Sequence, residues 1–217
     1  MLYFFHPQMN FITSIYVYTL IVKTYLNFYR MKKTLLSLVA ALVSVASFAQ
    51  TWTLDKAHAG VNFSITHMMI SEVDGSFKSF EAKLTSSKAD FTDAVFEFSA
   101  DVNSISTGND MRDGHLKSPD FFDAAKTGTI TFKSTSVKKG KGQSYTIVGN
   151  LTMHGVTKPI TLAATIKGPV ENPRSKKLMM GINATGKVNR VAFGVGTSGA
   201  TLSDDVTFKV GGEFTKD

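Results

Sequence analysis

Beyond residue 50 the chain alternates apolar and polar residues with a period of two, the spacing that turns one face of a β-strand to a core and the other to water. Val61, Phe63, Ile65 and His67 share one face of a first strand, and Asn62, Ser64 and Thr66 share the other. The same alternation recurs through Phe80-Ala82-Leu84, Ala94-Phe96-Phe98-Ala100, Ile130-Phe132 and Tyr145-Ile147-Gly149-Leu151. It returns in Ile160-Leu162-Ala164-Ile166, Leu178 to Gly186, and Val206-Phe208-Val210. Glu72 to Phe77 reads as an irregular return, Lys138 to Lys141 and Asp204-Asp205 as hairpin turns, and Gly168-Pro169 as a break. Eight or nine short strands, each with one wet face, predict an all-β antiparallel domain, either a sandwich or a closed barrel. Large inner-face residues (Phe63, Phe98, Phe132, Phe208) alternate with small ones (Ala82, Ala100, Ala164, Ala184, Gly186), a mixture that favours a cavity over a solid core.

One stretch breaks the strand pattern. Arg112 to Asp123 (RDGHLKSPDFFD) packs Arg112, His115, three carboxylates and the Phe121-Phe122 pair into a dozen residues. Ser118 as N-cap, Pro119 at the first helical position and Asp120 behind it predict a short helix through Phe121 to Lys126, ended by Gly128. Such a loop suits a lid over an apolar cavity; it equally suits a surface loop whose Phe pair fills the core.

The leader is a separate matter. Met31-Lys32-Lys33, the apolar run Leu35 to Val45 and the small-x-small Ser47-Phe48-Ala49 have the layout of an export signal cleaved before Gln50. Export to the periplasm or outside the cell is therefore expected. Residues 1–30 lie upstream of this complete signal and are read as a spurious extension, with a membrane segment through Phe11 to Val22 as the competing reading. Gln50 to Asp217 then forms one domain. Four of the 24 basic residues precede Gln50, so the domain carries twenty against 17 acidic ones, a balance that does not call for nucleic acid. There is no cysteine, which excludes disulfides, thiolate nucleophiles and Cys-based metal sites.

Five motifs in order resemble the YceI-like family of exported bacterial proteins: Trp52-x-Leu54-Asp55-x-x-His58; Val61-x-Phe63-x-Ile65-x-His67; Arg112-Asp113-x-His115-Leu116-x-Ser118-x-x-Phe121-Phe122-Asp123; Gly149-x-Leu151-Thr152-x-x-Gly155-Val156-Thr157-Lys158-Pro159; and Arg190-x-x-Phe193-Gly194. The resemblance spans Gln50 to Asp217. It implies a lipocalin-like, eight-stranded antiparallel β-barrel with a short helix or loop near its mouth. Such a barrel encloses a long isoprenoid or similar amphiphile, for carriage or storage, with no established catalysis. Ala124-Ala125-Lys126 departs from the aromatic-proline pair usual in the family.

The candidate ligand-binding residues are Phe63, Ile65, His67, Phe98, Phe132 and Ala164 on strands, Arg112, Asp113, His115, Phe121 and Phe122 in the central loop, and Arg190 and Phe193 near the end. Arg112 and Lys158 are candidates for a phosphate or quinone oxygen. His67 is expected to hydrogen-bond the central loop, with Asp113 as its partner, and Arg190 to form a structural ion pair with Asp113. His58 and His67 are an odd number of residues apart and face opposite sides of a continuous strand. With no close histidine spacing, no metal is expected, and no cofactor other than the lipid ligand. No GxSxG elbow is present. The alternative function is an enzyme acting on such a lipid through His67, His115 and Asp113 as acid and base. No stable membrane span is expected after signal cleavage, and association into a homodimer is left open.

Overall fold

A computed structural model describes residues 15–29 and 49–217. The chain divides after residue 48 into two units. Of the first, the described part is a helix, α1, at residues 15–29. No helix among the described residues is long and apolar enough to cross a membrane. The expected signal segment, apart from Ala49, lies outside the described residues, as do residues 1–14 and 30 of the supposed extension.

The second unit is a barrel. Its strands are β1 (Gln50–His67), β2 (Ser71–Phe77), β3 (Phe80–Ser86), β4 (Val95–Asp101), β5 (Ile105–Ser106), β6 (Thr129–Lys139), β7 (Ser144–Met153), β8 (Val156–Glu171), β9 (Leu178–Asn189) and β10 (Leu202–Lys216). Helix α2 (Asp110–Lys117) lies between β5 and β6. Eight strands close the ring in the order β1-β10-β9-β8-β7-β6-β4-β3, with β3 returning to β1 and every pair antiparallel. Closure leaves no long free edge for another chain to extend.

β1 has two partners on one side. Gln50–Thr53 pair with β3, whereas Val61–His67 pair with β2, which pairs in turn with β5. Glu72 to Phe77, read above as irregular, is therefore a strand; alternation there is masked by Asp74-Gly75. Between the halves of β1 a bulge shifts the register with β10 from Asp55↔Glu213 to Ala59↔Gly212. The extra residues reverse the inward parity, so Trp52 and Leu54 face in before the bulge and Val61, Phe63 and Ile65 after it. Asp204 and Asp205 are part of β10 and do not form a hairpin turn.

The two ends of the barrel differ. At the end formed by the start of β1, Trp52 meets Phe91 edge to face, centroids 5.9 Å apart, over buried Leu84, Ala94, Tyr145, Ile166 and Met180. The loop before β4 covers this end and is tied by Asp93. Burial alone would raise the Asp93 carboxyl, but the hydroxyls of Ser86 and Ser87 and the N–H groups of Ser87 and Lys88 hold it well below the usual aspartate range. At the other end the strands converge on α2 and the β9–β10 connection, and the interior is not filled.

Candidate functional site

The unfilled end begins with α2. Asn109 is its N-cap, with Oδ1 accepting the Arg112 N–H at 3.0 Å, and Asp110 and Asp113 place negative charge in the first turn. The helix stops at Lys117 because Ser118 precedes a proline and is held extended (φ −69°, ψ 168°). This corrects the expected helix: Ser118 closes the helix from behind, and Phe121 to Lys126 is a series of turns. Those turns fold back under α2, with Phe122 N–H donating to the Leu116 carbonyl and Ala124 N–H to the Lys117 carbonyl. Phe121 and Phe122 are thereby carried to the barrel mouth, where Phe122 meets Phe77 edge to face at 6.3 Å.

Below them is a cavity of about 440 Å³, within the roughly 300–1,000 Å³ typical of small-molecule sites. Phe63, Ile65, His67, Phe98, Arg112, His115, Phe121, Phe122, Phe132 and Arg190 all line it. Its room depends on rings lying flat over glycines. A Cβ at Gly186 would sit 2.5 Å from the Phe208 ring, and one at Gly75 or Gly149 would come closer still to Phe63 or Phe132. Three bulky rings are in this way recessed into the wall. The polar lining gathers at the mouth, in His67, Thr107, Arg112, His115 and Arg190, while Asn62, Lys83 and Glu97 line the wall near where β1 exchanges β3 for β2.

Three expected ligand residues do not line the cavity. Asp113 is buried and spent on Thr107, whose N–H and hydroxyl donate to its Oδ1 at 2.8 and 2.6 Å. Ala164 faces in, but it sits between Leu162 and Ile166, toward the packed end. Phe193 is buried in a short 3₁₀ turn after β9. Lys158 is exposed on β8 and also stays out of the lining.

The charged groups separate into saturated and open ones. Arg190, 4 % exposed, donates Nε to the Ser203 carbonyl, Nη1 to that of Val195 and Nη2 to that of Thr197, each at 2.9 Å. Its carboxylate neighbour is Asp204 at 3.7 Å, so the expected Asp113 ion pair is replaced by a carbonyl cage with Asp204 beside it. Burial lowers the guanidinium's pKa and Asp204 opposes this; it stays a cation at neutral pH. Arg112 is different. It donates Nε to Thr107 Oγ1 and Nη2 to the Thr107 carbonyl, keeps Nη1 unengaged and has no carboxylate within ion-pair distance among the described residues. His115 lies 3.5 Å from Asp120 and packs edge to face on Phe121 at 4.9 Å. No hydrogen bond joins His67 to Asp113, since Thr107 occupies the latter.

On the outside of the barrel, the β1 bulge turns His58 away from the interior. Its Nδ1 is 2.9 Å from Asp55 and 3.9 Å from Glu213. The hydrogen bond with Asp55 and the charges of Asp55 and Glu213 raise the His58 pKa, and the same hydrogen bond lowers that of Asp55. The three ligand atoms lie within 4.8 Å of one another, all on the surface or near it. His58 and His67 do not converge.

Sequence reasoning missed Thr107, which both engages Asp113 and anchors Arg112, and Phe77 and Phe80, which line the cavity beside the β2–β3 link. Thr107 sits in Ser-Thr-Gly-Asn-Asp, which reads only as a turn. A reader could have caught Phe77 by continuing its alternation with Val73.

Fold and site together define a closed antiparallel barrel with an apolar chamber at one end. Residues 52–214 match the YceI-like domain, and the chain belongs to that family. A UPF0312 protein of Staphylococcus aureus is 36% identical over 170 residues, which are 76% of this chain and 96% of that one. Among solved structures, a Campylobacter jejuni YCEI protein is 33% identical with a TM-score of 0.63, covering 76% of this chain and 96% of that one. Burkholderia cenocepacia BcnA shares the fold at 24% identity and TM-score 0.67, over 74% and 98%. So does a polyisoprenoid binding domain of Saccharophagus degradans, at 15% and 0.55, over 76% and 98%. What they share with this chain makes up 96–98% of their own length, and in this chain residues 49–217 form a compact unit of their own.

Proposed function

We propose that the barrel binds the apolar tail of an isoprenoid-type amphiphile, a polyprenyl phosphate or a quinone-like lipid, and carries or stores it. The observation that carries this reading is the chamber of about 440 Å³, walled mainly by Phe, Ile, Leu and Val, with His67, Thr107, Arg112, His115 and Arg190 at the mouth. Taking a methylene as about the size of a water molecule, whose share of liquid volume is about 30 Å³, the chamber takes a tail of about fifteen carbons. At about 0.8 kcal/mol per buried CH₂ that tail supplies on the order of 10 kcal/mol before the costs of binding. Arg112, with unengaged N–H donors, meets the head group, and His115 stands beside it. Arg190 is committed to the loop that shapes the mouth. The polyisoprenoid binding domain among the fold neighbours supports the ligand class.

Carriage is favoured over catalysis because Asp113, the base of the enzyme reading, is buried against Thr107 and does not line the chamber. The signal-like run at residues 31–49 supports export, with the barrel working in the periplasm or outside the cell. The test is mass spectrometry of residues 50–217 purified from bacteria, native and after solvent extraction. An isoprenoid-sized lipid bound one to one in the wild type and absent from Ala184→Phe, whose ring enters the chamber, is the expected result. A folded wild-type barrel without lipid after exposure to membranes would overturn the reading.

A further inference from the structure

The chamber's mouth carries apolar side chains that point into water. In the barrel unit the large exposed apolar residues are Met68, Met69 and Ile70, at 54%, 79% and 84%, Met111 at 87%, and Val170 at 63%. The first three form the tip of the β1–β2 hairpin, directly after His67, which lines the chamber. Met111 is on α2 beside Arg112, which also lines it. Only Val170 belongs to the packed end. Met68 and Met69 are moreover held at φ 51° and 61°, a left-handed conformation that favours Gly or Asn. Both the backbone and the solvent argue against methionine there, and local conflicts of this kind gather at functional positions.

Two cations at the mouth are free to meet the phosphates of such a surface. Arg112 and Lys117 form no ion pair among the described residues. Several nearby acids are engaged: Glu72 by Ser64 and Thr66, Asp113 by Thr107, Asp204 by Ser198 and Arg190, and Asp205 by Lys187. Asp110 and Asp120 remain exposed on α2 and the turn after it and equal those two cations in number, so there is no cationic excess and apolar contact must dominate.

We infer that the mouth of the barrel docks on a phospholipid bilayer, with Met69 and Ile70 inserted among the lipids, Met111 beside them and Arg112 and Lys117 at the phosphates. This rests on the lipid-binding reading of the same chamber: docking mouth-down lets a tail pass between bilayer and chamber without crossing water. Insertion of a few apolar side chains gives a reversible attachment that releases the carrier again.

The test is flotation of residues 50–217 with vesicles of phosphatidylethanolamine and phosphatidylglycerol. The wild type floats. Met69→Asn/Ile70→Ser, in which Asn tolerates the left-handed backbone, lowers the partition constant by about 100-fold, and Met111→Gln by about tenfold. Val170→Ser changes nothing, and 0.5 M salt weakens flotation less than the tip variant does. All variants keep the wild-type melting temperature and still take up a fluorescent polyprenyl phosphate added from solution. Three results would each overturn the docking: a wild type that stays in the soluble fraction, a tip variant that floats as well as the wild type, or a Val170→Ser loss equal to that of the tip. A tip variant that instead turns a wild-type dimer into a monomer would assign the surface to a second copy. Flotation without any uptake of the polyprenyl probe would retain the docking and sink only the carrier reading.

Discussion

The packed end and the open end of the barrel are made by the same strands, and they solve backbone strain in opposite ways. Phe91 at the packed end has φ 57°, and its ring is 4 % exposed against Trp52, so burial offsets the strained backbone. Met68 and Met69 at the open end have the same kind of backbone and leave their side chains in water. Hydrogen bonding divides the same way. Asp93 ties the loop over the packed end to its strand, whereas Arg190 ties the β9–β10 connection around an opening. One end supplies stability; the other gives some of it up for a chamber.

Mutations at the two ends should separate these roles. The largest effect is expected from Trp52→Ala, about 3–5 kcal/mol of stability lost by urea unfolding, since it leaves a cavity beside Phe91 and Leu84. Phe121→Ala at the mouth should cost about 1 kcal/mol, because the ring is half-exposed and borders a void already. If the two costs are equal, the division between the ends is wrong. Arg190→Met should come second, at about 3 kcal/mol, by leaving the carbonyls of Val195, Thr197 and Ser203 without their donor. Hydrogen exchange should then rise in residues 190–203 first.

Asp93→Asn follows, at about 2 kcal/mol. Asp93 is held below its ordinary pKa, so its contribution is complete above that value and is lost as pH falls through the lower folded one. The wild type should therefore keep its packed end folded into more acid conditions than the variant, which near-ultraviolet circular dichroism of Trp52 would report. The smallest effect belongs to His58, fully exposed on the bulge. Its raised pKa means its contribution is present below about 6.5 and lost as pH rises through the folded value. His58→Ala should flatten a slight decline in melting temperature above neutrality and leave lipid binding untouched.

Much of this was legible in the alternation of residues. A period of two identified the inward faces of β4, β6 to β9 and the second half of β1, and with them a sandwich or a barrel; the resemblance to the YceI-like family selected the barrel. The period gave face without depth: Ala164 and Ala184 both point inward, yet only Ala184 reaches the chamber. The expected helix lies nine residues too late because Ser118-Pro119 looks like a helix start; Asn109, a cap just as good, lies behind a glycine in what reads as a turn. The partners of Asp113 and Arg190 were illegible for a different reason. Thr107 and the carbonyls after Val195 come from irregular backbone, which no periodicity describes.

The central claim is that the open end holds a lipid tail. It is tested most directly by titrating residues 50–217 with a fluorescent polyprenyl phosphate, in the wild type, Ala184→Phe and Lys158→Ala. Saturation at one ligand per barrel in the wild type and Lys158→Ala, with binding abolished in folded Ala184→Phe, is the predicted result. Unchanged binding in Ala184→Phe, or none in the wild type, would contradict it.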